Sequence, residues 1–240
     1  MTFYDYYYIF MIRTEELSRT FIADEVETNA LSRVNLAIER GEFVSIMGPS
    51  GCGKTTLLNI LGLLDRPSSG KYWLEGREVS GMNELQRTRF RKGKISFVFQ
   101  SFNLIEELSV YQNIELPLLY MGISSRERRK RVTAILEEMK IIHRGRNLPR
   151  QLSGGQQQQV AIARAVVNNP ELILADEPTG NLDSVSGNEI MEILTQLNNN
   201  GTTIVMVTHS PSHADKAHRT IQLFDGHVIT ENIRKTMKTG

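Results

Sequence analysis

Phe43-Val-Ser-Ile-Met47, followed directly by Gly48-Pro-Ser-Gly-Cys-Gly-Lys-Thr55, is the stretch on which the fold turns. A short apolar run leads into the pattern G-x-x-x-x-G-K-[ST], and a helical pattern from Thr55 to Leu64 follows, so the local order is strand, glycine-rich loop, helix. Gly48, Gly51 and Gly53 let the backbone curl until its N–H groups face inward, and the helix adds the positive end of its dipole. Such a cradle suits the phosphates of a nucleotide. Lys54 is expected to reach the β- and γ-phosphates and Thr55 to offer its hydroxyl to Mg²⁺, with Pro49, Ser50, Cys52 and Thr56 completing the loop.

Three more short apolar runs, Ile95 to Phe99, Leu172 to Ala175 and Thr203 to Val207, read as strands buried on both faces. Helical patterns lie between them. Arg126 to Lys140 is charged on one side and carries Val132, Ile135, Leu136 and Met139 on the other, and Gln156 to Asn168 ends ahead of Pro170. Strands alternating with helices predict an α/β fold with a mostly parallel sheet covered on both faces. The first 40 residues differ: short alternating runs around Arg13 to Phe21 and Leu31 to Ile38 predict an antiparallel β layer. Residues 101–151 are mainly helical and interrupt the strand rhythm, which predicts a helical subdomain inserted into the sheet core. The expectation is one domain over residues 1–240, with the core at about 11–100 and 152–231. Residues 1–10 form a tyrosine-rich extension without a readable role.

Composition narrows the classes. Hydrophobic residues make up 40% and charged residues 23%, as in ordinary globular proteins. No apolar run approaches the roughly 18 residues that span a bilayer. Tyr6 to Ile12 has no basic residue before it and no small-residue cleavage site after it, so it reads as neither signal peptide nor anchor. A net charge of +1 gives no basic excess, so no nucleic acid is expected as a partner. The single cysteine, Cys52, allows no intrachain disulfide and fits a reducing compartment, the cytoplasm. Basic clusters at Arg87 to Lys94 and Arg126 to Arg131 have two readings, a solvated face or a contact with acidic headgroups or a membrane protein.

In open parallel sheets ligands bind beyond the carboxyl ends of the strands, where residues from several strands meet. Here the first run ends in the phosphate loop, the second in Gln100, the third in Asp176 and Glu177, and the fourth in Thr208 and His209. Asp176 is suited to hold the Mg²⁺ that Thr55 also touches, and Glu177 sets a second carboxylate beside it, placed to orient or deprotonate an attacking water. Gln100 and His209, taken alone, read first as a surface glutamine and a structural histidine. Leu152-Ser-Gly-Gly-Gln156 places a good N-cap, Ser153, and two glycines at the start of a helix, which makes a second site for an anion or an ordinary capped helix start.

Taken together, and in this order, these residues resemble the ABC ATPase family over nearly the whole chain, from about Met11 to Glu231. Gly48 to Thr55 looks like its Walker A motif, Gln100 like the Q-loop glutamine, and Leu152 to Gln156 like the signature. Leu172 to Glu177 looks like Walker B with the catalytic glutamate, Asn181-Leu-Asp183 like the D-loop, and His209 like the switch histidine. The resemblance implies a P-loop NTPase-type core that binds and hydrolyses ATP with Mg²⁺ held by Thr55, Gln100 and Asp176. It also implies a head-to-tail homodimer in which Ser153, Gly154, Gly155, Gln156 and Asp183 of one copy close over the nucleotide of the other. Phe21 aligns with the aromatic that stacks on adenine, where tyrosine is more frequent; the other reading is a core phenylalanine. Cys52 sits where a small residue is common and reads first as a space-filler, with a reactive thiol as the second reading.

Ser101-Phe-Asn-Leu-Ile105, Asn113-Ile-Glu-Leu-Pro117 and Asp176-Glu-Pro-Thr-Gly-Asn-Leu-Asp183 look most like the lipoprotein-release, macrolide-efflux and cell-division subgroup. That likeness implies a separately encoded permease with a large extracytoplasmic domain. The chain would sit on the inner face of the cell membrane and drive export or force transmission. Two other functions remain open: a soluble ABC ATPase acting on nucleic acid or ribosomes, and a nucleotide switch without turnover.

Overall fold

The four apolar runs lie side by side in the computed structural model, which describes residues 10–23 and 26–233. Along the chain the strands are β1 (Phe10–Ala23), β2 (Val26–Glu39), β3 (Phe43–Met47), β4 (Ser69–Leu74), β5 (Arg77–Glu78), β6 (Ile95–Phe99), β7 (Leu172–Asp176), β8 (Thr203–Val207), β9 (Arg219–Phe224) and β10 (His227–Ile233). The helices are α1 (Lys54–Leu61), α2 (Glu84–Arg91), α3 (Val110–Tyr120), α4 (Ser125–Glu138), α5 (Gly154–Val166), α6 (Ser184–Asn199) and α7 (Pro211–Ala214). Of the extension read over residues 1–10, only Phe10 falls among the described residues, as the first residue of β1.

The main sheet runs β10-β9-β3-β8-β7-β6; β9, β3, β8, β7 and β6 are parallel, and β10 pairs antiparallel at one edge. The unbroken apolar character of these strands follows from burial on both faces. Along β7, Leu172 and Leu174 point into one core while Ile173 and Ala175 point into the other. β8 alternates in step, with Ile204 and Met206 on the second face and Val205 and Val207 on the first. One core is closed by α1 and the β1–β2 layer, the other by α3, α4, α5 and α6. The carboxyl ends of β3, β6, β7 and β8 therefore open on one side of the molecule.

The N-terminal layer is the antiparallel sheet that the sequence predicts, in the order β2-β1-β4-β5, and its two long strands are 14 residues each. The alternation looks short because the β1–β2 register shifts between Thr14 and Leu17 and again between Leu17, Arg19 and Thr20. Glu16 and Arg33 take positive φ there, as extra residues at β-bulges do, and each bulge reverses which face the next side chains meet. Helix α5 begins at Gly154, two residues earlier than its apolar pattern, because Ser153 caps it with Gln156 in a reciprocal capping box. It ends before Asn169, whose positive φ and following Pro170 preclude continuation.

Candidate functional site

The loop after β3 is held in shape from two sides. A β-carbon at Gly48 would lie 2.1 Å from the carbonyl of Leu223 on β9, and one at Gly53 would lie 2.3 Å from the carbonyl of Ala30 on β2. Gly53 itself is left-handed at φ 101 and starts α1 with no side-chain cap. The Cys52 carbonyl accepts the N–H of Gly226, so the β9–β10 turn braces the loop from behind. Cys52 is 5% exposed and its sulfur fills the space beneath Gly48. Of the two readings of this thiol, the packing favours the space-filler.

Lys54 is nearly buried, and its ammonium curls back to donate to the carbonyls of Gly48 at 2.9 Å and Pro49 at 2.8 Å. Two carbonyl dipoles thus hold the cation over the mouth of the loop. A cleft there is lined by Ala30, Ser50, Gly51, Gly53, Lys54, Thr55, Thr56, Glu177 and His209. Ala30 gave no signal in the sequence because it contributes through its backbone carbonyl.

Across the cleft the ends of β7 and β8 supply the acidic half. The Thr55 hydroxyl donates to Asp176 Oδ2 at 3.3 Å, and His209 Nε2 stands 3.1 Å from Glu177 Oε1. Burial pushes the Asp176 carboxyl above its ordinary pKa; the Thr55 hydrogen bond opposes this and the neighbouring Glu177 charge reinforces it. Glu177 takes φ +46, a left-handed conformation that costs a non-glycine residue about 1–2 kcal/mol. It is held there because its N–H still donates to Val207 O at 3.0 Å while its carbonyl accepts from Gly180 at 3.0 Å. The backbone thereby turns sharply at the carboxyl end of β7 and sends the Glu177 side chain into the cleft.

The donor set fits a hard dication bound together with phosphate. Thr55 Oγ1 and Asp176 Oδ2 offer two oxygens. Among the described residues no group of three or more His, Cys, Asp or Glu side chains forms a metal site of its own. An ion held this way completes its shell with phosphate oxygens and water, the habit of Mg²⁺.

Other predicted residues lie apart from this cleft. The Gln100 amide is engaged with Asn181, donating to Asn181 Oδ1 at 3.0 Å, while Asn181 donates to Gln100 O at 3.1 Å. Ser153, Gly154, Gly155 and Gln156 form the start of α5, packed beside Leu182, Phe102 and Ser186 and outside the lining of the Lys54 cleft. Asp183 caps α6 by accepting from the N–H groups of Val185 and Ser186 and from the Ser186 hydroxyl, which holds its carboxyl below the usual range. Phe21 lies near the tip of the β1–β2 hairpin, 42% exposed, with the Arg19 guanidinium 4.4 Å from its ring centroid. That exposure sets aside the core-phenylalanine reading.

The comparisons with known proteins agree with this geometry. Residues 31–180 match the family described as ABC transporter. The ABC transporter ATP-binding protein MJ1508 of Methanocaldococcus jannaschii is 49% identical over 219 residues, which is 91% of this chain and 98% of that protein. The macrolide export ATP-binding/permease protein MacB of Bartonella henselae is 46% identical over 225 residues, and the chain spans only 34% of its length. Among solved structures, the dimeric post-hydrolysis state of the ATP-binding cassette MJ0796, bound to ADP and Pi, aligns with a TM-score of 0.86 at 45% identity, over 93% of this chain and 98% of that one. The chain belongs to the ABC transporter family, as one of its ATP-hydrolysing cassettes.

Proposed function

We propose that this cassette powers a separately encoded membrane permease, as an exporter or a force-transmitting complex, by closing as an ATP-bound homodimer and reopening after hydrolysis. The observation that carries the reading is the division of the site. Lys54, Thr55, Asp176, Glu177 and His209 meet at the ends of three adjacent strands, while the glycine-rich start of α5 lies outside the cleft they line. A second copy, turned head to tail, would bring its own α5 N-terminus over the first copy's cleft. The dimeric form of the cassette MJ0796 supports this arrangement, and the fused permease of MacB supports a membrane partner. Among the described residues no helix is long and apolar enough to cross a membrane.

In this reading the chain's residues divide the work. Gly48, Pro49, Ser50, Gly51, Cys52, Gly53 and Thr56 shape the loop whose N–H groups take the phosphates, and Lys54 draws in the β- and γ-oxygens. Thr55 and Asp176 would hold Mg²⁺, which when bound neutralises charge on the phosphates, and Gln100 would join them on leaving its contact with Asn181. Glu177 accepts the proton of the attacking water, and His209, beside it, orients the water and the terminal phosphate. Phe21 stacks on the adenine. Ser153 to Gln156 and Asp183 act on the partner's nucleotide. Residues 101–151 serve as the helical subdomain.

Replacing Glu177 tests this directly. Glu177→Gln keeps size and hydrogen-bonding reach but loses the basic oxygen, so ATP binding should survive while hydrolysis slows by roughly 10²-fold or more. Hydrolysis and solution mass are measured with Mg²⁺–ATP. An inactive variant that shifts from monomer to dimer supports the reading; wild-type turnover overturns it.

A further inference from the structure

One buried side chain links the parts of the site that the strands keep separate. Gln158, on the second turn of α5, is 0% exposed. Its Nε2 donates to the carbonyl of Pro178 at 2.7 Å and to that of Phe99 at 3.3 Å. Pro178 follows Glu177, and Phe99 precedes Gln100. The two carbonyls belong to neighbouring strand ends, since Phe99 pairs with Asp176 in the β6–β7 register. A single amide thus ties the turn behind the proposed water-activating carboxylate to the loop carrying the glutamine, and both to the helix whose start faces the partner.

The orientation of this amide is fixed, because two carbonyl oxygens can be faced only by its N–H groups. Its Oε1, in turn, is buried without a hydrogen-bond partner. An apolar side chain would avoid that penalty, so the benefit of glutamine here lies in its donor half. α5 grips the same loop a second time, through Arg164, which donates to Phe102 O at 2.9 Å and Asn103 O at 2.5 Å. The strained backbone at Glu177 depends on the atoms on either side being held, and the Pro178 carbonyl is one of them.

We propose that Gln158 is a positioning residue for hydrolysis: its buried amide sets Glu177 relative to Gln100 and passes any shift of the α5 start to both. The proposal rests on Glu177 activating the water. It predicts that ATP binding at the phosphate loop, which Gln158 does not touch, is spared.

The full chain is assayed as wild type, Gln158→Met, Glu177→Gln and the double variant, with single-turnover hydrolysis and ATP affinity by calorimetry. Methionine keeps an unbranched shape of similar volume and removes both donors. Gln158→Met should lower the hydrolytic rate about tenfold or more with ATP affinity within about twofold, and should add no further loss on top of Glu177→Gln. Wild-type turnover in Gln158→Met, a matching loss of ATP affinity, or full additivity overturns the proposal. Wild-type turnover in Glu177→Gln alone would overturn the role of Glu177 instead, so the two failures are distinguishable. Should methionine prevent folding, Gln158→Glu takes its place. There the neutral carboxyl still donates one hydrogen bond, and burial against two carbonyls raises its pKa. With one of the two donors gone its hydrolytic rate should still fall several-fold while ATP affinity stays within about twofold, and wild-type turnover overturns the proposal.

Discussion

Two helices in this chain start with glycine and bare backbone donors, yet they are built differently. α1 starts from Gly53 in a left-handed conformation with no side-chain cap, inside a loop squeezed between Ala30 and Leu223. α5 starts from Ser153 in extended conformation, with Ser153 Oγ accepting the N–H of Gln156 and Gln156 Oε1 accepting the N–H of Ser153. At α1 the first-turn N–H groups are left for a ligand, and the loop gains its shape from packing on neighbouring strands. At α5 two donors are already satisfied, so the helix start keeps its shape alone. Under the proposed function, the site that holds a nucleotide within one chain would be preorganised by the fold around it, whereas the one that meets a partner's nucleotide would be stable by itself.

The largest effect expected from this contrast is at the first helix. Lys54→Ala removes the cation at the loop mouth and leaves the Gly48 and Pro49 carbonyls without their donor. ATP affinity measured by calorimetry should fall at least about tenfold, with hydrolysis lost alongside it. Unchanged affinity would mean that the loop does not hold the phosphates through Lys54.

At the second helix the effect should separate binding from turnover. A β-carbon at Gly154 would meet Leu182 and Phe102 at 3.4 and 3.7 Å, ordinary contact distances, so the backbone there has room for a β-carbon. Gly154→Leu should therefore fold and bind ATP as the wild type does, while hydrolysis with the permease present falls by about tenfold or more as the partner's phosphate is kept away. Wild-type hydrolysis would remove the trans arrangement.

How much of this was legible in the sequence follows from how each residue acts. The sheet was readable because β7 and β8 are buried on both faces and leave uninterrupted apolar runs. The cleft was readable because Asp176, Glu177 and His209 stand at or just after the ends of such runs, and Lys54 and Thr55 close the glycine motif that follows Met47. What the sequence hid acts through backbone or through breaks in period. The β-bulges at Glu16 and Arg33 disguised two long strands as short ones, and Ala30 shapes the loop with a carbonyl. Gln158 stood in a glutamine run that looks polar, although α5 buries that position among Val160, Ala161 and Ile162. A glutamine on the apolar side of a helix was the available signal.

The smallest effect discriminates most finely between the two helix starts. Ser153→Ala removes the oxygen that accepts the Gln156 N–H, which makes the start of α5 resemble the uncapped start of α1. Loss of an N-cap hydroxyl costs about 1 kcal/mol, and for a chain of this length that corresponds to a melting temperature lower by about 2–4 °C. ATP affinity at the Lys54 loop should not change, because Ser153 lies outside its cleft. Hydrolysis then reports what the hydroxyl does in the dimer. If Ser153 serves only as the cap, turnover measured well below the melting temperature should stay within about twofold of wild type, since the freed N–H of Gln156 remains available to an anion. If its hydroxyl also touches the partner's phosphate, turnover should fall several-fold beyond what the thermal shift accounts for, as a hydrogen bond to a charged group contributes about 1.5–3 kcal/mol. A scan of melting temperature beside hydrolysis on the same preparation decides between them, because only the first quantity responds to capping alone.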